Sequence, residues 1–300
     1  MSRRKFLFFV NPISGTGNKA ALVSSIELTM KNAGFPFSIA HTNASGNYSH
    51  LPQKITNEQI TDVVICGGDG SISQIGSYLR GNPVRIGIIP RGSGNGLALS
   101  AGIPKNIKKA FNIILAGKAK PIDAFTINDK FSCMLCGLGF DAKIAHEFAK
   151  ASSRGLKTYT RLTLQNWVLA KTFPFTISAD GKTFSCNAYF ISVANANQFG
   201  NNMRIAPGAS LNDGLLDVVV VKKMNRVILP GNVLKQMMIG KPCTFEEAGM
   251  KNKTIGYFRT SFLKIKNEQL APLHIDGEPS DTTLEFDIRI IPLALNLIQP

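Results

Sequence analysis

At 300 residues with 44% hydrophobic content, the chain is long enough for two packed domains and too apolar for wholesale disorder. It carries 34 Lys/Arg against 19 Asp/Glu, a net charge of +15, which suits a polyanionic ligand or an anionic surface. No run approaches the roughly 18 uninterrupted apolar residues of a membrane span. There is no basic stripe with interleaved aromatics and no helix-turn-helix or zinc-finger spacing, so nucleic acid is set aside as a partner.

The opening Arg3-Arg4-Lys5 and its apolar run superficially imitate a signal peptide, but the run stops at Asn11-Pro12 and no small-residue cleavage site follows. A cytoplasmic protein is expected. Lys5 to Val10 reads as a first strand. A helix starting near Asn18, with Leu22, Ile26 and Met30 on one face, should stop at Gly34. Phe37 to Thr42 is a second strand, Tyr48 to Ile55 a short helix, and Thr61 to Cys66 a third strand. A helix through Ile72, Ile75 and Leu79 follows, then a strand at Val84 to Ile89 and a helix at Ile107 to Ala116 ending at Gly117. Repeated β-α units with short links imply a parallel sheet covered on both faces.

From about Ile122 strands come in succession: Phe131 to Cys136, Phe175 to Ala179, Thr183 to Val193, Leu215 to Val221, Phe262 to Lys266 and Leu284 to Ile291. Asp180-Gly181 is a hairpin signal between two of them. Helices are expected near Leu156 to Ala170 and Val227 to Ile239. The fold class is therefore α/β with a parallel sheet in an N-terminal domain, residues 1–124, followed by a β-rich, sandwich-like C-terminal domain, residues 125–300. Five cysteines, an odd count in strand-like settings, read as reduced and mostly buried. Cys133-x-x-Cys136 lies in an apolar run without a partner pair and reads as buried strand.

Three glycine-rich stretches each follow a strand-like run: Asn11 to Gly15 (N-P-I-S-G), Gly67 to Ser71 (G-G-D-G-S) and Pro90 to Asn95 (P-R-G-S-G-N). At the carboxyl end of a parallel strand, glycines offer bare backbone N–H groups, a setting that favours phosphate. Acids are scarce there: residues 1–125 hold 14 Lys/Arg against 5 Asp/Glu, and residues 126–300 hold 20 against 14. Gly15-x-Gly17-x-x-Ala20 matches a loose dinucleotide fingerprint, but His41-Thr42-Asn43 supplies no ribose-binding acid at the end of the second strand. The P-loop pattern is absent as well. An aspartate among phosphates, Asp69, is explained by a magnesium ion, or alternatively by a glycine turn with Asp69 as an N-cap. Ser93 offers a hydroxyl in the third loop, and Arg91 a charge.

Taken together, these stretches resemble the diacylglycerol kinase catalytic family, which includes bacterial lipid kinases and sphingosine kinases. The resemblance rests on the three loops, G-S-G-N-G-L-A at Gly92 to Ala98, G-L-G-F-D-A at Gly137 to Ala142, the run Ala206 to Val218, and D-G-E at Asp276 to Glu278, in the family's order. It implies a two-domain lipid kinase fold that uses ATP and Mg2+. Carried over, Asn11, Pro12, Ile13, Ser14, Gly15, Thr42, Gly67, Gly68, Asp69, Gly70, Ser71, Ile72, Ser93 and Asn95 match nucleotide-contacting positions. Asp69 and Asp123 match acids near the magnesium–nucleotide site, and Glu278 matches the proton acceptor. Asp213, with the backbone oxygens of Ser210 and Leu215, matches a structural magnesium site. Two departures stand out: Ser73-Gln74 replaces an Asn-Glu common in the group, and Asn95-Gly96 replaces Asn-Asp.

The expected function is transfer of the γ-phosphate of ATP to a lipid hydroxyl, of diacylglycerol or a sphingoid base, by an enzyme docked peripherally on an anionic membrane. The alternatives are a kinase of a soluble substrate related to NAD kinase, and a catalytically weak nucleotide- or lipid-binding regulator. A homodimer is compatible with the chain.

Overall fold

The structure is a computed structural model and describes residues 4–15, 19–153, 155–167, 169–200, 203–204, 206, 208–223 and 255–300. The chain divides into two compact units, Met1–Ile122 with Leu293–Pro300, and Asp123–Pro292. The last eight residues, grouped with the second domain on sequence, pack in the first unit.

The first unit runs β1 (Phe6–Val10), α1 (Lys19–Ala33), β2 (Phe37–His41), α2 (Leu51–Glu58), β3 (Asp62–Gly67), α3 (Asp69–Leu79), β4 (Arg85–Pro90), α4 (Gly96–Ser100) and α5 (Ile107–Ala116). The ladders among β1, β2, β3 and β4 are parallel. β1 lies between β2 and β3, and β4 flanks β3. Beyond β4, Asn296 and Leu297 near the chain's end add one more parallel partner. β1 is buried at every position, as a central parallel strand covered on both faces requires. Leu22, Ile26 and Met30, one turn apart on α1, join Phe6, Phe8 and Val10 in the core.

The second unit contains β5 (Ala119–Ile127, entering from the first unit), β6 (Lys130–Ser132), β7 (Leu135–Gly139), α6 (Phe140–Lys150), α7 (Leu156–Trp167), β8 (Phe173–Ala179) and β9 (Lys182–Ala194). It continues through β10 (Gln198–Gly200), β11 (Met203–Arg204), β12 (Leu216–Lys222), β13 (Ile255–Thr260), β14 (Phe262–Lys266), β15 (Leu273–Ile275), β16 (Glu278–Ser280) and most of β17 (Glu285–Ile298). Its ladders are antiparallel. β9 is long enough to pair with β8 along its first half and with both β7 and β12 along its second. The β8–β9 turn is the Asp180-Gly181 pair, both with positive φ (49° and 73°), as a two-residue primed turn demands.

Several elements differ from expectation. The apolar run Phe131 to Cys136 is not one strand. The Ser132 hydroxyl donates to Asp276 Oδ1 (2.7 Å) and accepts from the Met134 amide (3.3 Å), which breaks the run into β6 and β7. Cys133 and Cys136 are buried free thiols, as are Cys66 and the partly exposed Cys186, while Cys243 lies outside the described residues. So does the helix expected at Val227 to Ile239. The short helix α4 and the helix α6 had no clear periodicity to announce them.

A buried carboxylate fixes the amino-terminal edge of the first sheet. Asp62 is fully buried and accepts from Arg4 Nε (3.1 Å) and Nη2 (2.6 Å), Arg85 Nη2 (2.8 Å) and the Thr61 hydroxyl (2.6 Å). The same Arg4 donates to the carbonyls of Ile114 and Leu115, so one guanidinium joins β1, β3 and the negative end of α5. Removing the acid leaves two cations against a buried edge. Asp62→Ala is expected to lower unfolding free energy by about 3–5 kcal/mol, the scale for breaking a buried pair. Urea denaturation checks this, and a loss under about 1 kcal/mol would show that the pair is not what holds this edge.

Candidate nucleotide site

The carboxyl ends of β1, β3 and β4 carry the three glycine loops. Their backbones approach so closely that side chains do not fit. A Cβ on Gly15 (φ +61°) would stand 2.4 Å from the Arg91 carbonyl oxygen, and one on Gly92 2.5 Å from the Gly68 Cα. The Arg91 amide donates to the Gly67 carbonyl (2.8 Å), and the Asn11 amide to Cys66 (3.0 Å). Here glycine is required by packing of backbone on backbone, which leaves a surface of peptide groups.

Polar side chains fasten the loops from within. Asn11 accepts from the Ile13 amide (2.9 Å) and donates to the Ser71 hydroxyl (2.8 Å), joining the first loop to the second. Asn95, buried and at φ 56°, accepts from the Gly92 amide and donates to the Gly92 carbonyl, each at 2.7 Å, closing the third loop on itself. Asp69 joins the second loop to the third, its two oxygens accepting from the amides of Gly96 (2.9 Å) and Leu97 (3.1 Å). Asp69 thus caps α4, while Gly68 is the N-cap of its own helix. That helix begins at Asp69, so the end of the glycine loop is itself the first turn of α3. First-turn amides lack partners inside a helix and sit at its positive end, the arrangement that receives phosphate.

The other expected positions divide by exposure. Ile13 is 89% exposed, and Pro12 and Gly15 are also exposed. Ser14, Thr42, Gly70 and Ser93 are half-buried, and the Thr42 amide donates to Val10 (3.1 Å). Ile72 is buried and its amide is bonded to Gly68, so it serves the helix. Two cations border these loops. The Lys19 ammonium donates to the Ser14 carbonyl, and its pKa is lowered by burial and then by the Arg91 guanidinium nearby. Arg91 Nε is buried without a hydrogen-bond partner among the described residues. Like charges held beside glycine loops favour an anion between them. Sequence reasoning gave Lys19 no role, since a lone lysine early in a helix carries no signal of its own.

The remaining expected residues belong to the second unit. Asp123 is buried. Its Oδ2 accepts from the Gly214 amide (2.7 Å), and its own amide donates to the Leu211 carbonyl (2.6 Å), so it holds the turn at 211–214. Asp213 Oδ1 accepts from the Leu215 amide (3.2 Å), and its Oδ2 lies 3.5 Å from Arg259 Nη1. Arg259 also meets Asp217 Oδ1 (3.3 Å) and the Gly208 carbonyl. Burial pushes the Asp217 carboxyl up to about 6, with Arg259 opposing the shift. A carboxylate with backbone oxygens is the right donor set for magnesium; here Asp213 shares the Arg259 guanidinium with Asp217. Asp69 is held by the amides of Gly96 and Leu97, and a carboxylate there suits the metal that accompanies ATP.

Glu278 opens β16 and is exposed. Asp276-Gly277, at φ 51° and 81°, form the two-residue turn from β15. Asp276 Oδ1 accepts from the Ser132 hydroxyl and the Leu135 amide (3.1 Å), pinning that turn to β7.

Residues 5–127 match the model of the diacylglycerol kinase catalytic domain, and residues 135–299 match that of the YegS C-terminal NAD kinase beta sandwich-like domain. The chain belongs to this lipid kinase family. A diacylglycerol kinase of Bacillus subtilis (strain 168) is 24% identical over 283 residues, covering 93% of this chain and 90% of the relative. A protein of Citrobacter koseri named a probable lipid kinase YegS-like is 28% identical over 282 residues, covering 90% and 89%. A crystal structure of a diacylglycerol kinase from Bacillus anthracis str. Sterne superposes with a TM-score of 0.74 at 22% identity, covering all of this chain and 98% of the other. Membership makes the protein a phosphotransferase of the kinase type, and the structural likeness confirms the two-domain fold.

Two outcomes follow from this geometry. Gly92→Ala is expected to weaken ATP binding at least about tenfold, about 1.4 kcal/mol, in titration calorimetry. Gly81→Ala, at φ +71° but with nothing within 4 Å, should leave affinity intact. Equal affinities in the two variants would dissociate the close approach from nucleotide binding. Magnesium added to EDTA-treated protein should raise the melting temperature of Arg259→Met but not of the wild type. An equal rise in both would return Asp213 to a metal role.

Proposed function

We propose that the protein is an ATP-dependent lipid kinase. The observation that carries this reading is the crowding of Gly15, Gly68 and Gly92 at the carboxyl ends of three parallel strands, beside Lys19 and Arg91. The phosphates of ATP lie against the loop amides and the first turn of α3, and the two cations balance their charge. Asp69 would help hold the magnesium that accompanies ATP, and that ion would supply further neutralisation of the transferring phosphoryl group. The lipid hydroxyl oxygen forms the new bond to the γ-phosphorus, the bond from that phosphorus to the β-bridging oxygen breaks, and ADP leaves. The hydroxyl proton passes to the Glu278 carboxylate. The second unit holds the acyl or sphingoid chain. No helix among the described residues is long and apolar enough to cross a membrane, and the +15 charge favours peripheral docking on an anionic bilayer.

A second reading, a kinase of a soluble substrate, draws on the NAD kinase-like description of the matched C-terminal domain. Radiolabelled ATP offered with diacylglycerol, a sphingoid base and NAD separates the two, with label expected in a lipid. Label in NAD alone would overturn the lipid reading, and no transfer to any acceptor would favour a binding regulator. Within the lipid reading, Glu278→Gln should retain ATP binding and slow turnover by roughly a hundredfold or more, the scale of a lost general base. A Gln variant as fast as the wild type would leave Glu278 as a solvated turn acid.

A further inference from the structure

β15 and β7 lie side by side, with His274 opposite Gly137. The missing side chain at Gly137 leaves a space that two polar groups fill. A Cβ added there would stand 2.1 Å from Asp141 Oδ2 and 2.6 Å from His274 Nε2. Asp141 comes from the first turn of α6, where its Oδ1 accepts from the Ala142 amide (2.8 Å). His274 is 1% exposed and Asp141 6%. His274 Nε2 lies 3.4 Å from Asp141 Oδ2, and its Nδ1 lies 3.3 Å from the Gly277 amide nitrogen.

A backbone N–H can only donate, so Nδ1 is the acceptor nitrogen and the ring proton sits on Nε2, which lies 3.4 Å from Asp141 Oδ2 without completing a hydrogen bond to it. The imidazole is thereby neutral and held in one tautomer. Its acceptor end grips the amide immediately before Glu278. Burial pushes the Asp141 carboxyl up and His274 opposes that shift, in keeping with a working pair. The Glu278 side chain makes no hydrogen bond or ion pair among the described residues, so the turn backbone sets only the point from which it projects.

We propose that Asp141 and His274 are positioning residues for the proton acceptor: together they fix the Asp276-Gly277 turn and so the point from which Glu278 projects. The proposal rests on the reading of Glu278 as the base. The turn is held from two sides, Asp276 by β6 and β7, and Gly277 by His274. A group that must meet a substrate proton within hydrogen-bond distance needs such support, because small displacements cost much of the rate.

The test combines spectroscopy with kinetics. In 15N-histidine-labelled wild-type protein, the His274 resonances, assigned by their loss in His274→Asn, should show Nε2 protonated and Nδ1 bare. A proton on Nδ1, or on both nitrogens, at neutral pH would overturn the proposal. In the lipid kinase assay, His274→Leu should lower kcat about tenfold or more with KM for ATP unchanged. His274→Asn, whose amide oxygen can accept from Gly277, should recover part of that loss. In a Glu278→Gln background, His274→Leu should add little further loss. If Glu278→Gln is slow and His274→Leu is not, the positioning role fails while the base reading survives. If Glu278→Gln is fully active, the base reading itself fails and the pair has nothing to position.

Discussion

The contact on which the first unit's site depends is backbone against backbone. Gly68 and Gly92 meet so closely that a methyl group on either would collide, and Gly15 closes on the Arg91 carbonyl. Peptide groups brought this near one another have no side chains to shield them from a ligand. Nor can they hold themselves there, since dipoles alone are weak and loops carry conformational entropy. Asp69 supplies the fastening, with two charge-assisted bonds to α4, each on a scale of about 1.5–3 kcal/mol. The carboxylate expected to meet a metal is thus also the bolt between two loops. Its loss would be felt in binding even where it never touched magnesium.

Where one face is buried and the period is plain, the chain reads directly into its fold. Leu22, Ile26 and Met30 lie inward on α1 as their spacing requires, and α5 spans Ile107–Ala116 between its Asn106 cap and Gly117. Asp-Gly pairs at 180 and 276 became two-residue turns because both positions demand positive φ. The failures share a different cause. The run Phe131 to Cys136 is apolar enough for one strand, but it breaks on a hydroxyl bonded to an aspartate 144 positions later. Asp62, within the strand expected at Thr61 to Cys66, is a buried hub for two arginines. Long-range polar contacts of this kind leave no period in a sequence.

The candidate site shows the same division. The three glycine loops were legible at the carboxyl ends of parallel strands, because strand followed by glycine is a local pattern. The jobs of the polar residues in them were not. Asn95, read as a group offered to the ligand, folds its own loop, and Asn11 ties the first loop to Ser71. Asp123 and Asp213, carried over as metal-associated acids, also have structural partners, the Gly214 amide and the Arg259 guanidinium. Arg259, which supplies that charge, sits 46 positions along the chain from Asp213, in a strand whose exposed cation gives no hint of a partner.

Two signature motifs turn out to work by one device. In G-G-D-G the aspartate holds a neighbouring helix by its amides, and in D-G-E the aspartate holds β7 by an amide and a hydroxyl. Each steadies the backbone beside it: the first turn of α3 in one case, the turn that leads into the exposed Glu278 in the other. An aspartate is suited to this task because it is short, accepts at two oxygens and keeps its charge against neutral donors. A motif of glycine and aspartate therefore encodes both freedom and restraint: the glycines permit an approach that other residues forbid, and the acid holds it.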